Sequence, residues 1–162
     1  MERLFVAALP DGPTGEMLQG LPRPDERGVR WVRPEQWHVT LRFLGTCSVD
    51  DVMPRLDDAA LPRSHARLGP AVEWLGPQLV VPVAGVDELS AAVHASTDGV
   101  GEPPRPRFRG HLTIARTRRS ATSTVLGHPA VGSFTVTEVA LVRSELTPDG
   151  ARYTTLATYP TT

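Results

Sequence analysis

Apolar positions change period several times along the chain, and each change marks an element. Residues 3–10 form a nearly continuous apolar run closed by Pro10, the pattern of a buried strand. Polar, Gly- and Pro-rich sequence follows over 11–30, with one short helix predicted near 14–19. A short strand is expected at 31–33, and a longer one at 37–44 with Gly45 as its stop. Ser48 then stands as an N-cap, Asp50 and Asp51 suit a first turn, and Val52, Met53, Leu56 and Ala59 recur at helical spacing, which predicts a helix over 49–60. Residues 66–75 and 78–83 read as two strands joined at Gly76-Pro77. Leu89, Ala92 and Val93 place one apolar stripe on a helix over 87–97. Residues 99–110, with Pro103, Pro104 and Pro106, read as a loop, and 111–115 as a strand. Segments 135–145 and 152–159 flank Thr147-Pro148-Asp149-Gly150, a turn signal that predicts a closing hairpin.

Strands and helices thus alternate in two similar rounds, as expected of one α+β domain over 1–162 built from two related halves. The length of 162 residues suits a single domain, and 40% hydrophobic with 22% charged residues is a globular composition. The opening apolar run falls far short of the roughly 20 residues that span a bilayer, so neither a membrane span nor a secretory signal is expected. Cys47 is the only cysteine. It has no partner for an internal disulfide, and a reducing cytoplasm is the expected setting.

Charge is balanced overall, at a formal net −1, but not locally. Residues 103–137 contain no Asp or Glu, yet hold Arg105, Arg107, Arg109, Arg116, Arg118 and Arg119. Every basic side chain is Arg and none is Lys, which a GC-rich genome accounts for. Codon bias does not remove acids from one stretch, so the cluster is a separate feature with local positive polarity.

One tetrapeptide pattern occurs twice: His38-Val39-Thr40-Leu41 and His111-Leu112-Thr113-Ile114. On a strand, His and Thr project together about 6–7 Å apart while the apolar residues face the other way. One such motif is common by chance; two in strand contexts, in the same order, are not. Imidazole titrates near neutrality, so one copy can accept a proton while the other donates, which suits in-line displacement at phosphorus. The threonine hydroxyls can then donate to non-bridging phosphate oxygens. No carboxylate or cysteine stands at ligand-like spacing from either histidine, and there is no Gly-x-Ser-x-Gly elbow, Walker A loop or dinucleotide fingerprint. No metal or cofactor is expected.

At these residues the sequence resembles the 2H phosphoesterases, and within them the RNA 2',3'-cyclic phosphodiesterase branch, also called LigT-like or 2'-5' RNA ligases. The resemblance runs through Arg3-Leu4-Phe5-Val6-Ala7, Trp37-His38-Val39-Thr40-Leu41-Arg42-Phe43-Leu44-Gly45, His111-Leu112-Thr113-Ile114-Ala115-Arg116 and the closing hairpin. It implies a bilobal duplicated fold, two antiparallel sheets flanking a central cleft with helices outside. It also implies His111 as general base, His38 as general acid, Thr40 and Thr113 on phosphate oxygens, and Arg116 as a charged clamp. The reaction implied opens an RNA-terminal 2',3'-cyclic phosphate to a 2'-phosphomonoester, with 2'-5' ligation of tRNA halves as its reverse. Because the site is nearly symmetric and the roles swap on reversal, sequence leaves the acid and base labels open.

Strand alternation puts Arg42 on the catalytic face and Phe43 in the core; the resemblance puts an aromatic at Phe43 near the substrate base, which requires a bulge. Both stay as candidate ligands. Trp37 and Phe5 read as core residues, and His65, His94 and His128 as surface or helix-face residues. Arg105, Arg107 and Arg109 read equally as a guide for RNA phosphates or as a solvated loop. Two rival functions remain: a phosphodiesterase of small cyclic phosphates, and a non-catalytic module that binds RNA ends or nucleotides. A monomer is expected.

Overall fold

The computed structural model describes all residues, 1–162. The first half of the chain contains β1 (Glu2–Ala8), α1 (Gly12–Gln19), β2 (Val29–Trp31), β3 (Val39–Cys47), α2 (Val49–Asp57), β4 (Ser64–Leu68) and β5 (Glu73–Leu75). The second contains β6 (Gln78–Ala84), α3 (Asp87–Ser96), β7 (His111–Thr117), β8 (Gly132–Val136), β9 (Glu138–Thr147) and β10 (Gly150–Pro160). No helix is long and apolar enough to cross a membrane.

All strand pairs are antiparallel, in the order β10-β9-β1-β3-β7-β6-β4-β8, with β2 on β7 and β5 on β6. The fold is α+β, a curled sheet with three helices. Its two halves, β10-β9-β1-β3 and β7-β6-β4-β8, are joined through one register pair, Val39 with Leu112. Since β6 runs along one edge of β7, β3 and β2 share the other edge end to end.

The continuous apolar run of β1 reflects burial on both faces. Leu4, Val6 and Ala8 enter the main core of 33 buried residues, while Phe5 and Ala7 join a small second cluster with Ala140 and Val142. Val39, Leu41, Leu112 and Ile114 all lie in the main core. Each such buried side chain stabilises the fold by about 1.5–3 kcal/mol, which holds the motif strands down on one side and leaves their polar side chains on the other.

Several boundaries differ from the sequence expectation. The first motif strand starts at Val39, because a 3-10 turn over Pro34–Gln36 ends at Trp37. Gly45 does not stop it: at φ 70° it sits inside β3, where a Cβ would lie 2.5 Å from the Glu102 side chain. Ser48 holds the N-cap position without a side-chain bond, and α2 ends at Asp57. The run 66–75 breaks at Gly69-Pro70 into β4 and β5. The strand expected over 135–145 breaks at Thr137: its first two residues end β8, an edge strand that begins at Gly132 and pairs with β4, and the rest lies in β9.

Candidate active site

Val39 and Leu112 are opposed across the seam with their side chains in the core. One residue further out on this antiparallel ladder, His38 falls opposite Thr113 and Thr40 opposite His111. Both imidazoles and both hydroxyls are thus brought to one sheet face on adjacent strands, about 4.8 Å apart by strand spacing. All four residues are half-buried.

Immediately after each motif the strand bulges. In β3 the register with β1 passes from Thr40 directly to Arg42, so Leu41 is the extra residue. In β7 the register with β6 passes from Thr113 to Ala115, so Ile114 is extra. Burial records both bulges as consecutive buried pairs, Leu41-Arg42 and Ile114-Ala115. A bulge leaves its carbonyl outside the ladder. The Ser90 hydroxyl donates to the Leu41 carbonyl at 2.7 Å, and the Val32 amide donates to that of Ile114 at 2.9 Å. Each bulge inverts alternation, which returns Phe43 and Arg116 to the motif face and sends Arg42 and Ala115 inward.

Arg42 is therefore corrected from candidate ligand to buried strut. It is 4% exposed. Its guanidinium donates to the carbonyls of Thr97, Val100 and Glu102 at 2.8, 3.0 and 3.2 Å, and to the Thr97 hydroxyl at 2.8 Å. These groups take up both terminal nitrogens of a buried cation that has no carboxylate partner, and Nε alone is left unbonded. They also fix residues 97–102 against β3, where Gly101, at φ 71°, lets the backbone approach the Leu44 carbonyl. Phe43 is half-buried beside Phe5 and Tyr153, with the Arg3 guanidinium 4.8 Å from its ring centroid.

The two imidazoles are held alike. A His38 Nδ1–H donates to the Gln36 carbonyl and a His111 Nδ1–H to the Arg109 carbonyl, both at 2.7 Å. Nδ1–H as donor leaves Nε2 as the working atom in each ring. His38 Nε2 lies 3.1 Å from the Thr40 hydroxyl, whereas the Thr113 hydroxyl donates to Gln78 Oε1 at 2.8 Å. His38 packs against Phe5 and Tyr153, with ring centroids at 4.8 and 5.4 Å. Burial lowers its proton affinity, and the charges of Arg116 and His111 lower it further, against the bond to Gln36, which raises it. Arg116 is exposed and has no carboxylate within ion-pair distance; the three ion pairs of the chain are Arg33–Glu35, Arg143–Glu2 and Arg143–Glu145.

Trp37 is in the main core, and Arg105, Arg107 and Arg109 are exposed. The backbone of their loop has a defined task, since the Arg109 carbonyl orients His111. Cys47 is buried; His65 is exposed, while His94 bonds the Ser90 carbonyl within its own helix. Sequence reading missed Gln78, Tyr153 and Ser90, and placed Phe5 only in the core. Phe5 is buried, but on the motif face. Only Gln78 had a signal: it is the polar residue that opens an otherwise apolar strand.

A curled antiparallel sheet with twin His-x-Thr strands at its seam is the arrangement that the resemblance to 2H phosphoesterases implies. Residues 12–68 match the family model described as LigT like Phosphoesterase. The chain is 28% identical over 153 residues to the RNA 2',3'-cyclic phosphodiesterase of Methanothermobacter thermautotrophicus, covering 81% of this chain and 82% of that one. The protein of the same name from Archaeoglobus fulgidus is 25% identical over 181 residues, covering 97% and 99%. Among solved structures, E. coli LigT in its apo form superposes with a TM-score of 0.80 at 27% identity, covering 99% of this chain and 98% of that one. A protein from Thermus thermophilus gives 0.81 at 27%, covering 98% and 97%. The chain is thus similar to the LigT-like phosphoesterases, in sequence over 12–68 and in fold over nearly its whole length.

Proposed function

We propose that the protein hydrolyses RNA-terminal 2',3'-cyclic phosphate to the 2'-phosphomonoester by acid–base catalysis between His38 and His111. The observation that carries this reading is the pairing of the two motifs through Val39 and Leu112, which gives two Nε2 atoms access to one phosphorus. The names of the archaeal relatives and the complex of E. coli LigT with 3'-AMP support an RNA end as the substrate class.

The reaction takes one water. His111 Nε2 accepts its proton as the water oxygen bonds phosphorus, the P–O3' bond breaks, and His38 Nε2 delivers a proton to O3'. Thr40, Thr113 and Arg116 face the non-bridging oxygens, where charge develops, and the aromatic ring of Phe43 faces the terminal base. Thr113 must exchange its bond to Gln78 for one to phosphate. Burial lowers the proton affinity of His38 in the free protein, so its role as acid depends on the substrate: the phosphate anion raises that affinity on binding. With an RNA 5'-hydroxyl entering in place of water, the same groups run 2'-5' ligation: His111 accepts the hydroxyl proton, the 5'-oxygen bonds phosphorus, P–O3' breaks and His38 protonates O3'. One chain supplies both motifs, so a monomer suffices in this reading.

The test is an assay in chelator with a short oligoribonucleotide ending in 2',3'-cyclic phosphate, read by phosphorus NMR. A 2'-phosphomonoester formed by wild type and lost in His38→Ala and His111→Ala is expected. Full turnover in either variant defeats the mechanism; binding without turnover in the wild type leaves an RNA-end binding module.

A further inference from the structure

Further along β7 from its motif the surface carries an open cavity of about 420 Å³ whose side-chain walls include Arg30, Arg116 and Arg118. Arg30 is the register partner of Arg116 across β2 and β7, so the two side chains rise together, with Cβ atoms about 5 Å apart. Like charges directly opposed on a ladder destabilise it. Nothing in the chain offsets them, because none of its three ion pairs includes Arg30, Arg116 or Arg118. The acid-free window 103–137 means that β7 and the loop after it contribute no carboxylate.

The Arg30 side chain and the Arg118 backbone are also anchored. Arg30 donates to the Asp149 carbonyl at 2.7 Å, which ties its fork to the β9–β10 turn, and the Arg118 amide donates to the Gly28 carbonyl at 2.8 Å. Three guanidinium groups without a carboxylate partner on one concave surface are complementary to an anion, and Arg geometry suits phosphate oxygens. Arg116 belongs to this cavity and also bears electrostatically on His38. An anion bound here is therefore contiguous with the reacting phosphorus. A polymer carrying two phosphates in succession meets that condition; a lone phosphate does not.

We propose that Arg30 and Arg118, together with Arg116, form a second anion subsite that binds the internal phosphodiester immediately upstream of the cyclic end. This rests on the reaction proposed above. A chain that terminates in a 2',3'-cyclic phosphate has further phosphates only on its 5' side, so the subsite selects RNA ends over cyclic mononucleotides.

The experiment compares kcat/KM for three substrates: a nucleoside 2',3'-cyclic phosphate, a dinucleotide with the same cyclic end, and that dinucleotide with a neutral methylphosphonate linkage. Wild type is expected to prefer the charged dinucleotide by about tenfold, the worth of roughly one charge-assisted hydrogen bond. The methylphosphonate is expected to erase that preference without any change to the protein. In Arg30→Gln/Arg118→Gln the ratio of dinucleotide to mononucleotide falls toward one, and the log–log salt slope for the dinucleotide becomes shallower by about 0.7 for the lost phosphate contact. Equal use of the charged and neutral linkages by wild type, or a double variant that keeps the ratio, overturns the subsite and leaves the reaction standing. Wild type without turnover on any of the three overturns the reaction and the subsite together.

Discussion

Strands β3 and β7 carry the same tetrapeptide pattern, the same bulge one residue beyond it and the same clamp from Nδ1 to a carbonyl two residues back, yet they furnish different halves of the cleft. On β3 the histidine lies beneath Phe5 and Tyr153, and the bulge turns an aromatic ring, Phe43, to the site. On β7 the corresponding bulge presents Arg116 instead. Inward, Arg42 on β3 corresponds to Ala115 on β7, a buried cation against a methyl group. One backbone device thus yields an aromatic wall on one side and a cationic wall on the other. A nucleotide has the same two-part character, with a flat base and a charged phosphate.

The comparison breaks hardest at the histidines. Each single change to Ala should lower turnover by about 10² to 10⁴-fold, and the double variant little further, because the pair acts as one unit in steady-state kinetics. Arg42→Ala comes next and should act on stability alone. Stripping the carbonyls of residues 97, 100 and 102 of their donor should cost about 3–5 kcal/mol in urea unfolding, while the folded fraction keeps its kcat. A loss of kcat at full stability would return Arg42 to the site. Arg116→Ala should cut kcat by about 10²-fold, whereas Phe43→Ala should raise KM about tenfold through lost stacking, and an inverted split would show that the two walls had been exchanged.

The smallest expected effect is in pH dependence. With His38 as the acid of the proposed reaction and its proton affinity depressed in the free protein, kcat/KM should fall as pH rises through a value below 6.5. The limb of kcat, measured with phosphate bound, should lie higher. Tyr153→Leu thins the cover over the ring and should move the kcat/KM limb upward, toward 6.5. An acid limb that tracks His38 instead would assign it the base role.

Much of this was legible in the sequence because it follows from alternation. The paired motifs, the apolar residues beneath them, the helix at 87–97 and the closing hairpin all announce themselves through period and turn residues. Arg42 and Phe43 were not legible by the same rule. A bulge inserts one residue into the count, and what stabilises the bulge in β3 is Ser90, on a helix some fifty residues later in the chain. Likewise, the carbonyls of Gln36 and Arg109 are backbone atoms that any residue supplies, so composition has no way to mark them. Gly45 misled for a related reason, since left-handed backbone serves a strand irregularity as readily as a strand end.

A single pair of residues, Val39 and Leu112, is all that stitches one half of the sheet to the other, and the reactive rings stand on either side of that stitch. What holds them at a fixed distance is therefore less the ladder than the layer beneath it: one continuous apolar mass under both strands, so that a vacancy opened there would be felt by both rings at once.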